Sequence, residues 1–240
     1  MNRIGSGSKW PKHVEPLTAE QSHIIDDWMQ HFHEVNRARF SGVVDFNHRY
    51  VMKHSPAAFV STLDVGAGLG EHLDYENLTP RQLAAYVALE FRPKMADAIR
   101  KKWPDVQVYD VDCQERMPFA EGQFDRIIAI HVLEHLPNLP AFLREARRLL
   151  EKKTGKLLVV IPCEGGLAYS FGRRFTSKKM FEKRYGLPYE PFIAGEHVNR
   201  ADEILTEIKR LYSIQHRFYY PLAVRSLHLN LCIGLTLRPA

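Results

Sequence analysis

The chain predicts an α/β protein: a doubly wound, seven-stranded, mostly parallel sheet, with an N-terminal helical extension and an insertion after the fifth strand. Three observations predict it. Short apolar runs alternate with helix-like segments between residues 57 and 162, the pattern of strands buried between two helical layers. The first run ends in Thr62-Leu63-Asp64-Val65-Gly66-Ala67-Gly68-Leu69-Gly70, an acidic strand end that opens into a glycine-rich turn. Two further strand-like runs close the chain and bring the count to seven.

Composition bounds the class. The 240 residues are 45% hydrophobic and 25% charged, enough to build a real core. No apolar run approaches the roughly 18 residues of a membrane span. Met1 to Lys12 is polar and reads as lacking a signal peptide. Three cysteines, Cys113, Cys163 and Cys232, make no disulfide framework, so a cytoplasmic location is the expectation. The net charge of +5 suits an anionic substrate or plain solubility and does not imply nucleic acid.

The elements follow in order. Residues 1–17 read as a polar tail. Thr18 and Gln21 have capping-box spacing, and a helix to Arg39 carries Ile24, Ile25, Trp28, Met29 and Phe32 on one side. Ser41 to Pro56 reads as a connector that completes an N-terminal unit of residues 1–56; residues 57–240 form the main domain. Ala58 to Asp64 is the first strand and Glu71 to Asn77 a short helix stopped before Pro80. Ala84 to Glu90 is the second strand, followed by a helix over Pro93 to Trp103 with proline in its first turn. Val106 to Val111, Phe124 to Ile130 and Lys156 to Ile161 are strands three to five, with a helix over Phe142 to Leu150. Residues 163–199 are basic and aromatic without a clear period. Ala201 to Leu211 is an amphipathic helix, and Ser213 to Tyr220 and Leu227 to Leu237 are the last strands.

Ligands of open α/β sheets bind beyond the carboxyl ends of the strands. Those ends carry Asp64 with the glycines, Glu90, Asp110 or Asp112, and His131. An acid such as Glu90 suits the two hydroxyls of a ribose. A dinucleotide fingerprint needs a third glycine at position 71, which is Glu71. A carboxylate beside a pyrophosphate is unfavourable, so a phosphate-free cofactor with a sulfonium and an amino acid tail fits better.

At this point the sequence resembles a known family. Leu63 to Gly70 looks like motif I of the class I S-adenosylmethionine-dependent methyltransferases, and Val87-Ala88-Leu89-Glu90 resembles their ribose-binding strand end. Asp112-Cys113-Gln114-Glu115-Arg116-Met117-Pro118-Phe119, then Gly122-Gln123-Phe124-Asp125, is similar to their adenine-contacting segment. His131-Val132-Leu133-Glu134-His135 resembles the turn after their fourth strand. The resemblance implies a Rossmann-like methyltransferase fold and S-adenosylmethionine as cofactor. It implies cofactor contacts at Asp64, Gly66, Ala67, Gly68, Glu90, Phe91, Asp112, Cys113 and His131. Asp112 lies one residue further from Pro118 than the commonest spacing, which keeps Asp110 as an alternative.

An oxygen nucleophile needs a general base, and His131, Glu164 and His197 are the candidate catalytic residues. His48, Arg49 and Tyr50 of the connector are expected to fold over the cofactor. Residues 163–199 are the expected acceptor-binding insertion, with Arg173 or Arg174 available to an anionic group. Ile161-Pro162-Cys163-Glu164-Gly165-Gly166 and Glu196-His197-Val198-Asn199 resemble methyltransferases of bacterial surface-glycan pathways, which implies a small-molecule or saccharide-like acceptor methylated at oxygen. A nucleic-acid methyltransferase is the alternative, weakened by the absence of an Asn/Asp-Pro-Pro-Tyr/Phe motif after strand four. A non-catalytic cofactor-binding partner module would show a damaged glycine loop, and this loop is intact. His131-x-x-Glu134-His135 matches an inverted zinc-protease pattern, but a strand runs directly into it, so no metal is expected. Oligomeric state is left open.

Overall fold

The computed structural model describes residues 9–240. Short runs form the parallel strands β1 (Thr62–Val65), β2 (Tyr86–Leu89), β3 (Gln107–Tyr109), β4 (Arg126–Ile130) and β5 (Lys156–Pro162). β6 (Tyr212–Tyr220) and β7 (Cys232–Pro239) complete a seven-stranded sheet of order β3-β2-β1-β4-β5-β7-β6. β7 enters antiparallel between β5 and β6. This is the doubly wound, mostly parallel sheet that the sequence predicts.

Strand period sorts the side chains between two faces. Leu63, Val65, Ile127, Ala129, Leu157 and Val159 share one core with Phe142, Leu143 and Ala146 of α5 (Leu139–Leu149) and with Ile204 and Ile208 of α9 (Ala201–Leu211). On the opposite face Ile128, Leu158 and Val160 meet Tyr50 and Val51, while Ala88 meets Ile99 of α4 (Pro93–Lys102). Phe142 is fully buried, so truncating it to Ala costs about 3–5 kcal/mol.

The N-terminal capping box forms as expected. Gln21 N–H donates to Thr18 Oγ1 at 3.2 Å, and Thr18 N–H donates to Gln21 Oε1 at 2.9 Å. The helix is α1 (Ala19–Arg39). Its Ile25 and Trp28 pack on Phe181, Tyr189 and Phe192 of the insertion.

Four expectations change. The connector over 41–56 is a helix, α2 (Ser41–His54), which buries Asn47, His48, Tyr50 and Val51. Tyr50 fills the space above Gly234, where a Cβ would meet its ring at 2.6 Å, and its hydroxyl lies 3.1 Å from Thr236 Oγ1. α2 therefore covers the sheet directly. The helix over 71–77 shrinks to a 3-10 turn, Glu71–Asp74, and Pro80 starts a helix rather than ending one. That helix, α3 (Pro80–Ala84), is capped by Thr79 and Gln82. Residues 163–199 fold as α6 (Leu167–Arg173), a π-helical turn (Arg174–Lys178), α7 (Lys179–Tyr185) and α8 (Glu190–Glu196). Residues 10–12 are not a free tail: Trp10 packs against the main core, and Lys12 Nζ donates to Val198 O at 2.7 Å and to Glu203 at 2.8 Å. The first eight residues of that expected tail lie outside the described residues. Among the described residues, no helix is long and apolar enough to cross a membrane.

Candidate active site

The glycine loop leaves β1 at the carboxyl edge of the sheet. Gly66, Gly68 and Gly70 hold φ of 66°, 59° and 77°, the left-handed region that favours glycine. At Gly66 a Cβ would also meet Val132 Cγ2 at 2.6 Å, so backbone is pressed on the turn after β4. Ala67 is buried, and its N–H donates to Leu89 O at 3.0 Å, which ties the loop to β2. Asp64 lies beneath the loop, buried, and accepts the Tyr86 hydroxyl at 2.7 Å. Burial pushes its pKa up. It braces β1 against β2.

Glu90 continues β2 and is 5% exposed. Its Oε2 accepts Gly68 N–H at 2.8 Å and its Oε1 accepts Arg92 N–H at 2.9 Å. Each carboxylate oxygen keeps a second lone pair, so the group can still take two ribose hydroxyls. Phe91, next to it, is 73% exposed and offers a bare aromatic face. Asp112 is exposed and accepts Gln114 N–H at 2.8 Å, which shapes the turn around Cys113. Cys113 is buried, and burial pushes its thiol up to about 12.

One contact decides between cofactors. Glu71 Oε2 accepts Leu69 N–H at 3.0 Å. A phosphate cradle needs such loop amides free and no carboxylate nearby. Here the amide is taken by the carboxylate itself. The donor set fits a ribose, an adenine and an amino acid tail, and does not fit a pyrophosphate.

His131 follows β4 with φ 53°, the left-handed non-glycine residue among the described residues. Such strain persists where surroundings impose it, commonly at functional sites. Its Nε2 lies 2.9 Å from Asn47 Nδ2 and its Nδ1 lies 3.3 Å from Glu134 Oε1. Burial opposes its charge, but hydrogen bonding to Cys232 and Glu134 outweighs burial and raises the pKa to about 10. Glu134 is 1% exposed. Burial opposes its ionisation, yet His131 and the neighbouring His135 and His197 hold its pKa below the usual range.

The insertion delivers the other two candidates. At the end of β5, Gly165 takes φ 86°, and a side chain on Gly166 would run into the Leu227 carbonyl. This turn points Glu164 back toward the β4 turn. Its Oε2 meets His197 Nδ1 at 2.9 Å and its Oε1 accepts Arg173 Nη1–H at 2.7 Å. Burial works against its ionisation, while His197 and Arg173 hold its pKa down. Arg173 is thereby engaged within the protein. Asn199, fully buried, donates to Leu133 O at 2.8 Å and Leu136 O at 2.7 Å. It pins the end of the insertion to the β4 turn and brings His197 beside His135, ring centroids 4.8 Å apart.

His131, Glu164 and His197 therefore fall in one cluster, joined through Glu134. Of His48, Arg49 and Tyr50, expected to fold over the cofactor, Tyr50 packs on the sheet and His48 stacks on Tyr75 at 4.5 Å. Sequence reasoning gave no role to Asn47 or Asn199. Asn199 sat inside a quoted motif with no role given, and its signal is tertiary.

The strand order, the left-handed glycine loop and the acid after β2 define a class I methyltransferase fold. Residues 63–159 match the family model described as a methyltransferase domain. Through this segment the chain is similar to class I S-adenosylmethionine-dependent methyltransferase domains. It is 32% identical over 107 residues, 42% of its length, to a sterol 4-C-methyltransferase of Caenorhabditis elegans, covering 30% of that protein. The chain spans about a third of the length of the curated relatives it matches. Among solved structures, an S-adenosylmethionine-dependent methyltransferase of Thermotoga maritima superposes with TM-score 0.62 at 16% identity, over 90% of this chain and 99% of that one. The N-methyltransferase NodS of Bradyrhizobium japonicum, in complex with S-adenosyl-L-homocysteine, gives 0.52 at 15% identity, over 80% and 85%. These structural likenesses show the fold.

Proposed function

We propose that this chain transfers the methyl group of S-adenosylmethionine to a hydroxyl oxygen of a small-molecule or saccharide-like acceptor. The observation that carries the cofactor half is the Glu71 carboxylate on the Leu69 amide at 3.0 Å, which closes the loop to phosphate while Glu90 waits at the end of β2. In this reading Glu90 holds the ribose hydroxyls. Phe91 and the Asp112–Cys113 turn flank the adenine. The left-handed backbone at Gly66–Gly68 lets the amino acid tail approach.

When bound, the sulfonium supplies an activated methyl group with its own leaving group. The protein's work is then alignment and exclusion of water. His131, held between Asn47 and Glu134, serves as a fixed wall of the crevice. His197, oriented by Glu164, is the proton acceptor for the hydroxyl. The insertion forms the acceptor wall; with Arg173 paired to Glu164, an anionic acceptor would meet the exposed Arg174. The oxygen assignment is supported by the carboxylate–imidazole pair, because an amine acceptor needs no such base once neutral.

The test is transfer of isotope-labelled methyl from S-adenosylmethionine to a panel of hydroxylated and amine acceptors, read by mass. Labelling of a hydroxyl is expected. His197→Ala is expected to lower kcat by roughly 10²–10⁴-fold with cofactor affinity unchanged. Labelling of amines alone would refute the oxygen assignment.

A further inference from the structure

The β4 turn and the insertion bring Glu134, His135 and His197 together. One ligand atom from each lies within 4.8 Å of the others. A four-coordinate site with bonds near 2.1 Å would hold them about 3.4 Å apart. Side-chain shifts of about 1 Å close that difference, less than a rotamer change. Glu134 Oε2 is buried and has no hydrogen-bond partner. A buried carboxylate oxygen left that way is costly, and a cation would satisfy it.

Each residue is also held from behind. His135 Nδ1 lies 2.7 Å from Glu196 O, so it donates there and leaves Nε2 as the free lone pair. His197 Nδ1 lies 2.9 Å from Glu164 Oε2, which again leaves Nε2 free. Glu134 Oε1 is met by His131 at 3.3 Å. Imidazoles that give Nδ1–H to a carbonyl and to a carboxylate carry the outer-shell pattern of metal-ligating histidines. We propose that Glu134, His135 and His197 bind one divalent transition-metal ion, with Glu164 and Glu196 as positioning groups. Two imidazoles favour zinc or cobalt over magnesium. Three protein ligands leave a position open, the arrangement of catalytic rather than structural sites.

The site gives a use to part of the His-x-x-Glu-His string. The last two residues ligate, His131 supports Glu134, and the third ligand comes from the insertion. With an ion bound, His197 Nε2 is a ligand and no longer a proton acceptor. The ion would instead lower the pKa of a coordinated acceptor hydroxyl, whose proton passes to solvent water. This role rests on the methyltransferase reading; the site itself does not.

The experiment titrates the tag-free, chelator-treated chain with Zn²⁺, Co²⁺ and Mg²⁺ in the absence of cofactor. One equivalent of Zn²⁺ and of Co²⁺ is expected, with a Co²⁺ absorption band in the visible that Zn²⁺ abolishes, and with no competition from Mg²⁺. His135→Ala and His197→Ala should each weaken binding by about tenfold or more, Glu164→Gln by about tenfold, and the exposed His13→Ala not at all. The wild-type cobalt spectrum keeps the test valid if a variant misfolds. Absence of a saturable equivalent in the wild type would overturn the site, as would affinity unchanged in both folded histidine variants. Methyl transfer by metal-free chain would then stand with His197 as base, so the two readings fail separately.

Discussion

The carboxylate of Glu90 accepts the backbone N–H of Gly68 at 2.8 Å. The end of β2 thus holds the glycine loop before any ligand arrives. A pre-formed loop spares binding the cost of ordering it. The same group is the proposed ribose ligand, so loop geometry and cofactor recognition depend on one side chain.

Gly66 tests the loop by sterics alone. Gly66→Ala adds a Cβ at φ 66°, 2.6 Å from Val132 Cγ2. The left-handed backbone alone costs roughly 1–2 kcal/mol, and Val132 must also move. A lower urea midpoint and at least tenfold weaker binding of S-adenosylhomocysteine are expected. Unchanged affinity would show that the loop does not contact the ligand.

A buried ion pair under the loop predicts a stability effect. Arg126 is fully buried; its Nη1 lies 2.7 Å from Glu76 Oε1, and its Nε donates to Thr62 Oγ1 at 2.8 Å. Removing one partner strands a buried charge, at about 3–5 kcal/mol. Glu76→Gln is expected to lose that much in denaturant titration at pH 7. Burial opposes ionisation of Glu76, but His72 and Arg126 outweigh it and depress its pKa. Its contribution is therefore full above its ordinary value of 4.5 and fades as pH falls below it, so wild type and variant should converge in acid.

His48 predicts a second pH effect. Burial is the main cause, with the neighbouring His72, that lowers its pKa from 6.5 to about 3. The unfolded chain gains a proton below pH 6.5 that the folded chain refuses. Stability should fall as pH drops from 6.5, by up to roughly 1.4 kcal/mol per pH unit from this group. His48→Phe keeps the stack on Tyr75 and removes the proton, so its urea midpoint should change less between pH 7 and 5.5. Equal changes in both proteins would contradict a neutral buried His48.

The legible parts of the chain were those with local patterns. β1, β2, β4 and β5 carry dense apolar runs, and the loop carries three glycines with left-handed φ. α2 was not legible because its buried face includes Asn47 and His48, polar residues whose partners are distant in sequence. Pro80 read as a stop, although Thr79 and Gln82 spell a capping box around it. The pairing of Glu164 with His197 was invisible: each residue stood out alone, and only the turn at Gly165–Gly166 and the anchor at Asn199 bring them together.

The central claim is a S-adenosylmethionine site framed by Gly66, Gly68 and Glu90. Calorimetric titration of the chain with S-adenosylhomocysteine tests it most directly. The account predicts one saturable site in the wild type, weakened at least tenfold in a folded Glu90→Ala variant, and no binding of a nicotinamide dinucleotide. A folded wild type that binds no S-adenosylhomocysteine, or a Glu90→Ala variant that binds it as tightly, would contradict the account.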